Sequence, residues 1–100
     1  MIDGKWKMVL NTPMGDKNIV LDATVAGDGL EGGFLGEDGS IGLKIYEGSA
    51  DGDSFSFKVD FPVPDMGSFT FTLTGAVDGD NMAGTAKMAL GTCDFKAERM

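Results

Sequence analysis

The amino-acid sequence predicts an all-β chain, a single-domain meander of eight antiparallel strands closed into a small barrel over residues 1–100. Three observations carry this. Apolar residues recur with a period of two: Ile19, Leu21, Ala23 and Val25 alternate with Asn18, Val20, Asp22 and Thr24. Phe55, Phe57, Val59 and Phe61 alternate with Ser54, Ser56, Lys58 and Asp60, and Phe69, Phe71, Leu73 and Val77 with their serine, threonine and alanine neighbours. Such alternation marks strands with one buried face. Sixteen glycines punctuate these runs, and Asp28-Gly29, Asp38-Gly39, Asp51-Gly52 and Asp78-Gly79 are tight-turn signals, because glycine accepts φ > 0 freely and aspartate tolerates it. No segment carries an apolar stripe at helical spacing.

The first strand, over 4–11, alternates Trp6, Met8 and Leu10 with Lys5, Lys7 and Val9. The second, 17–26, carries the isoleucine–leucine alternation, and the third, 30–36, carries Phe34. The fourth, 41–48, holds Leu43 and Ile45. The fifth and sixth, 54–61 and 68–77, are the phenylalanine-rich runs, with Pro62 and Pro64 between them, where a missing N–H disturbs no ladder. The seventh, 81–90, and eighth, 93–99, bring Met82, Met88, Leu90, Cys93 and Phe95. Gly27-Asp28-Gly29-Leu30, Asp51-Gly52-Asp53-Ser54 and Asp78-Gly79-Asp80-Asn81 form a loose repeat whose unit is one turn with its flanking strands.

Every connection is short, so strands adjacent in sequence pair with each other. An open sheet would leave two bare edges and an apolar face in water, and closure removes both liabilities. The expected interior is Trp6, Met8, Leu10, Ile19, Leu21, Phe34, Leu43, Ile45, Phe55, Phe57, Phe69, Phe71, Leu73, Met88, Leu90 and Phe95. An eight-stranded barrel is either filled by such side chains or holds one small ligand.

Composition narrows the function. Sixteen acidic against eight basic residues give a net charge of −8, which repels phosphate backbones and anionic lipid surfaces. Neither nucleic acid nor membrane is therefore an expected partner. The start, Met1-Ile2-Asp3-Gly4, has no basic-then-apolar leader, and the lone Cys93 fits a reducing, cytoplasmic setting. The absence of histidine removes Ser-His-Asp and Cys-His catalysis and histidine-ligated metals. No cofactor is expected.

Gly4-Lys5-Trp6 opens the first strand, and Arg99, the only arginine, closes the last. In a closed meander with an even number of strands, the start of the first lies beside the end of the last. This brings Trp6 and Arg99 together, where a guanidinium can cover the indole face. The pairing resembles the calycin superfamily of lipocalin, fatty-acid-binding and avidin-like barrels. There a Gly-x-Trp in the first strand lies under an arginine of the last. The resemblance implies that Gly4, Trp6 and Arg99 close one end of the barrel.

Other side chains invite chemistry. Asp51, Asp53, Asp78 and Asp80 could offer oxygens to calcium, but they lack the spacing of an EF-hand loop and read better as turn residues. No metal site is expected. Tyr46, Lys44, Lys58, Asp60, Lys87, Asp94, Lys96 and Glu98 could supply acid–base groups, yet their parity places them outside if the phenylalanines are inside. Asp22 is the lone acid of its apolar strand. Met8, Met82 and Met88 have inward parity, Met14 and Met66 fall in loops, and Cys93 reads as an inert buried thiol. Val9, Val20, Leu35 and Tyr46 fall on the outward parity of the first four strands and suggest self-association.

The favoured reading is a barrel that binds an apolar or aromatic small molecule through Trp6, Met8, Phe34, Phe57, Phe71 and Met88. A self-associating structural or accessory subunit with a packed core is the alternative. A cofactor-independent isomerase, cyclase or hydratase comes third, so the reading leans away from an enzyme.

Overall fold

The computed structural model describes residues 2–12, 15–36, 41–63, 67–89 and 91–100, with only the backbone of residues 12, 41 and 63. The described chain forms nine strand segments: β1 (Gly4–Thr12), β2 (Gly15–Ala26), β3 (Gly29–Leu35), β4 (Ile41–Lys44), β5 (Tyr46–Asp51), β6 (Ser54–Val63), β7 (Gly67–Asp78), β8 (Asn81–Met88) and β9 (Gly91–Arg99). β1 pairs with both β2 and β9, and β2 also pairs with β3, so the sheet closes on itself. All pairings are antiparallel.

β4 and β5 lie end to end along β3, which pairs with both, and they occupy one place in the wall. The barrel is thus an eight-stranded antiparallel one whose fourth strand is broken at Ile45. Ile45 turns inward at the break and still donates its N–H to the Gly32 carbonyl at 3.1 Å. The cause follows in β5, where the register with β6 slips between Tyr46 and Ser49 and Glu47 takes φ of 49°. A bulge of this kind bends a strand and re-aims its side chains.

Most other strand limits fall within two residues of those expected. The larger difference is β5, which runs to Asp51, three residues past the expected end, while β6 continues two residues through Pro62 to Val63. A strand tolerates proline where its other side is unpaired. Among the described residues no backbone ladder joins this part of β6 to β4, so Pro62 has that freedom. Pro64, Leu90, Met14, Met66 and the Asp38-Gly39 turn lie outside the described residues.

Three hairpin turns line what we call the lower end, where the chain termini also meet. Their corners are Gly27-Asp28, Gly52-Asp53 and Gly79-Asp80, with glycine φ of 64°, 62° and 64°. A two-residue turn with positive φ only at its first corner is type II′, which calls for glycine there. This is why the corners fall on Gly27-Asp28, Gly52-Asp53 and Gly79-Asp80 and not on the expected Asp28-Gly29, Asp51-Gly52 and Asp78-Gly79 pairs. The carbonyl of each corner aspartate accepts an N–H from the next strand around the barrel: Asp28 from Ala50 (3.0 Å), Asp53 from Val77 (2.8 Å), Asp80 from Arg99 (2.8 Å). The repeat in the sequence is a repeat of this device.

The described members of the expected inward set, and Met82 of inward parity, lie in the core or, for Ile19, Leu43, Phe69 and Met88, pack half-buried against it, and Ile2, Leu30, Ala86 and Ala97 join them. A run of phenylalanine rings crosses the core. Centroids of Phe95–Phe55 lie 6.2 Å apart, Phe55–Phe57 6.0 Å, Phe57–Phe34 6.1 Å, Phe34–Phe61 5.5 Å and Phe61–Phe71 5.1 Å. These are favourable aromatic separations, and each large side chain buried this way stabilises the fold by roughly 1.5–3 kcal/mol.

Candidate functional site

The lower end is sealed. Trp6 lies directly opposite Arg99 in the β1–β9 ladder, and the guanidinium carbon sits 4.3 Å from the indole centroid. Arg99 Nη1 donates to the Asp3 carbonyl at 2.6 Å, and Nε to Asp80 Oδ1 at 3.2 Å. Beneath it, Trp6 is fully buried and its Nε1 donates to the Ile2 carbonyl at 2.7 Å. Gly4 has φ of 121°, and a Cβ added there would stand 3.1 Å from Arg99 Nη1. Glycine therefore serves both the backbone turn and the close approach of the guanidinium. The Val25 N–H, donated to Asp3 Oδ2 at 3.0 Å, ties the leading segment down.

The upper end differs. Ile19, Leu43, Phe61, Phe69 and Met88 pack against the core there but remain only partly buried. Phe61 packs against both Phe34 and Phe71, and among the described residues no ladder joins β4 to the last residues of β6, so this end is taken as the candidate mouth. This mouth is the candidate site. Of the residues expected to bind a ligand, Phe34 and Phe71 lie beneath it and Met88 in its rim. Phe57 and Met8 are fully buried deeper in the barrel, and Trp6 belongs to the seal at the far end. Phe61 reads in the sequence as an alternating apolar residue of its strand but is not among the residues expected to bind a ligand. The alternation running from Phe55 to Phe61 was the available signal.

The fold is that of a small closed β-barrel with solved counterparts. One is a redesigned beta barrel, b11L5F_LGL, with a TM-score of 0.68 over 99% of this chain and 91% of that one. Another is the redesigned beta barrel mFAP1 bound to DFHBI, with a TM-score of 0.67 over 99% of this chain and 94% of that one. Both are 10% identical to this chain, so the likeness is one of fold. No family model and no curated protein matches the sequence.

The polar candidates lie on the outer wall. Tyr46 Oη and Thr70 Oγ1 both donate to Asp60 Oδ1 at 2.7 Å, and Lys58 Nζ meets Glu47 Oε2 at 2.7 Å. The hydrogen bonds from Thr70 and then Tyr46 hold the Asp60 carboxyl below its ordinary value, while the bond to Asp60 raises the Tyr46 phenol. Lys44, Lys87, Asp94, Lys96 and Glu98 are exposed, and Asp22, half-buried on the outside, stands opposite Lys5. No group of three or more cysteine or carboxylate side chains able to hold a metal comes together among the described residues. Cys93 is buried, and burial, with Asp94 nearby, pushes its thiol up, which keeps it protonated.

This chain has one tyrosine, so its ionisation can be followed by absorbance alone. A phenol with a raised folded-state pKa stabilises the fold below its unfolded value and loses that contribution as pH rises through the folded value. Asp60, being depressed, contributes above its unfolded value and ceases to as pH falls through the folded one. Tyr46 should titrate above free tyrosine, and Asp60→Asn should bring the midpoint down. An unchanged midpoint would mean the contact is not kept in solution.

Of the outward apolar residues, Val20 is paired with Leu35, and these two line a shallow outer concavity with Lys7, Asn18 and Ile19. Val9 lines another with Lys7, Ala83 and Lys96. Tyr46 stands apart from them, turned to Asp60.

Proposed function

We propose that the protein binds one small apolar or aromatic molecule at the upper mouth of its barrel. The carrying observation is the asymmetry of the two ends: one is plugged by Trp6 and Arg99, while the other presents the half-buried Ile19, Leu43, Phe61, Phe69 and Met88 over an aromatic floor. A ligand seated there would bury apolar surface that the chain itself leaves wet, gaining about 25 cal/mol per Å² covered. Phe34, Phe71 and Met88 are its nearest contacts in this reading. Phe57 and Met8 support the floor, and Trp6 acts only by holding the far end shut. A redesigned barrel of the same fold holds DFHBI, which supports the reading at the level of fold.

DFHBI itself and an uncharged fluorescent apolar probe should each bind saturably, near one per chain. Leu43→Trp, which fills the mouth, should weaken binding at least about tenfold. Tyr46→Phe, on the outer wall, should leave it unchanged. Lack of saturable binding by either probe, or equal affinity of Leu43→Trp and the parent, would overturn the proposal.

A second reading rests on the outer apolar pair Val20–Leu35 with Val9 close by. A packed barrel would use this face to self-associate as an accessory subunit. Sedimentation of the parent and of Val20→Lys across a concentration series tests it, and a monomer throughout would remove it.

A further inference from the structure

We infer that Lys17 makes the mouth selective for a ligand with a negatively charged group at one end of an apolar body, an inference that rests on the mouth being the binding site. In the β1–β2 ladder Lys17 lies directly opposite Leu10, and Leu10 is buried in the barrel. Directly opposed residues of an antiparallel pair share a face. Lys17 therefore belongs to the inner face, in step with Ile19 and Leu21 along the same strand. It also lies beyond Val20, the last residue of β2 paired with β3, and is exposed. That places it on the rim, with a flexible stem able to rest on Ile19 while its ammonium reaches over the opening.

The charge pattern sharpens this. The chain has sixteen acidic and eight basic residues. Yet along the described strands the inner face carries two charged side chains, Lys17 and Arg99, and both are cations. Arg99 is committed to the seal through Trp6, Asp3 and Asp80. Lys44 and Lys87, the other lysines towards the upper end, stand opposite Gly33 and Thr72 on the outward parity. The acids of the strands, Asp16, Asp22, Glu31, Asp51, Asp60, Asp78, Asp94 and Glu98, take the outward parity too, and Glu47 at the bulge pairs with the outward Lys58. An anion at the mouth would meet Lys17 across the low-dielectric apolar rim, while the outer acids act through water and salt, which screen them beyond about 10 Å.

The test uses one aromatic body with three end groups: 2-naphthoate, 2-naphthalenemethanol and 2-naphthalenemethylammonium, each titrated by calorimetry against the intact protein. The naphthoate should bind about tenfold tighter than the neutral alcohol, and the ammonium weakest, despite the net negative charge of the chain. Lys17→Met should abolish the preference while leaving the alcohol's affinity in place. Lys87→Met, which removes the same charge from the outer wall of the same end, should preserve the preference. If the alcohol binds as well as the naphthoate, or if Lys17→Met keeps the preference, the role of Lys17 is refuted and the mouth stands. If none of the three binds, the mouth itself falls, and this inference with it.

Discussion

Replacing Trp6 by alanine is expected to cost about 3–5 kcal/mol of folding stability, the range for emptying a large buried ring from a packed core. Trp6 is fully buried, and its loss also leaves the Ile2 carbonyl without the indole N–H and Arg99 without its stacking surface. Arg99→Ala should cost about 1–2 kcal/mol, mostly from the cation–π contact and the packing of its stem. The ion pair with Asp80 adds little, since the carboxylate side chain is 84% exposed. Because the two groups touch, the double variant should lose less than the sum of the single losses. Denaturant unfolding of the four proteins, followed by circular dichroism, measures this. Additivity within error would show that the seal is not a coupled unit.

The second large effect is expected at the glycine pair of the β7–β8 wall. Phe55, Gly75, Gly84 and Phe95 lie in one cross-strand row over β6, β7, β8 and β9. The two glycines leave a hollow in the wall, and the Phe55 and Phe95 rings cover it from inside. A Cβ on Gly75 would stand 2.5 Å from the Ala83 carbonyl oxygen and 3.1 Å from Cζ of both rings. On Gly84 it would run into the Thr74 carbonyl oxygen. Overpacking of this kind typically costs about 1–3 kcal/mol, and more where backbone must move. Gly75→Ala should fall in that range, and Gly75→Val, or Gly84→Ala, should exceed it. Thr85→Ala, beside Gly84 on the outer face, should change stability by no more than about 0.5 kcal/mol. A Gly75→Ala protein that melts with the parent would refute the close approach.

Much of the barrel was legible in the residues because a pleated strand has a period that leaves no freedom. Once Phe55, Phe57 and Val59 face in, Ser56 and Lys58 must face out, and the same rule sorted Tyr46 and Asp60 to the outer wall. The turns were legible to within one residue because few residues take positive φ cheaply, but their corners fall on Gly-Asp and not on the Asp-Gly pairs. The break at Ile45 was not, since Glu47 carries no local signal for its left-handed backbone. Nor was the burial of Ile2 ahead of the first strand, which follows from Trp6 needing an acceptor for its indole N–H.

Alternation along the chain determined by itself that this is an all-β protein, which side chains face in, and that Trp6 and Arg99 meet when the sheet closes. Only the tertiary structure decided what the interior offers. Period two assigns a side but not a height. The stagger between strands sets which inward residues share a level, and it alone puts Phe55 and Phe95 over a glycine hollow. It also leaves Leu43, Phe61 and Phe69 half-covered at the upper end. The seal at the lower end and the half-buried apolar residues at the upper one are properties of that stagger, because each depends on residues far apart in sequence arriving at the same height.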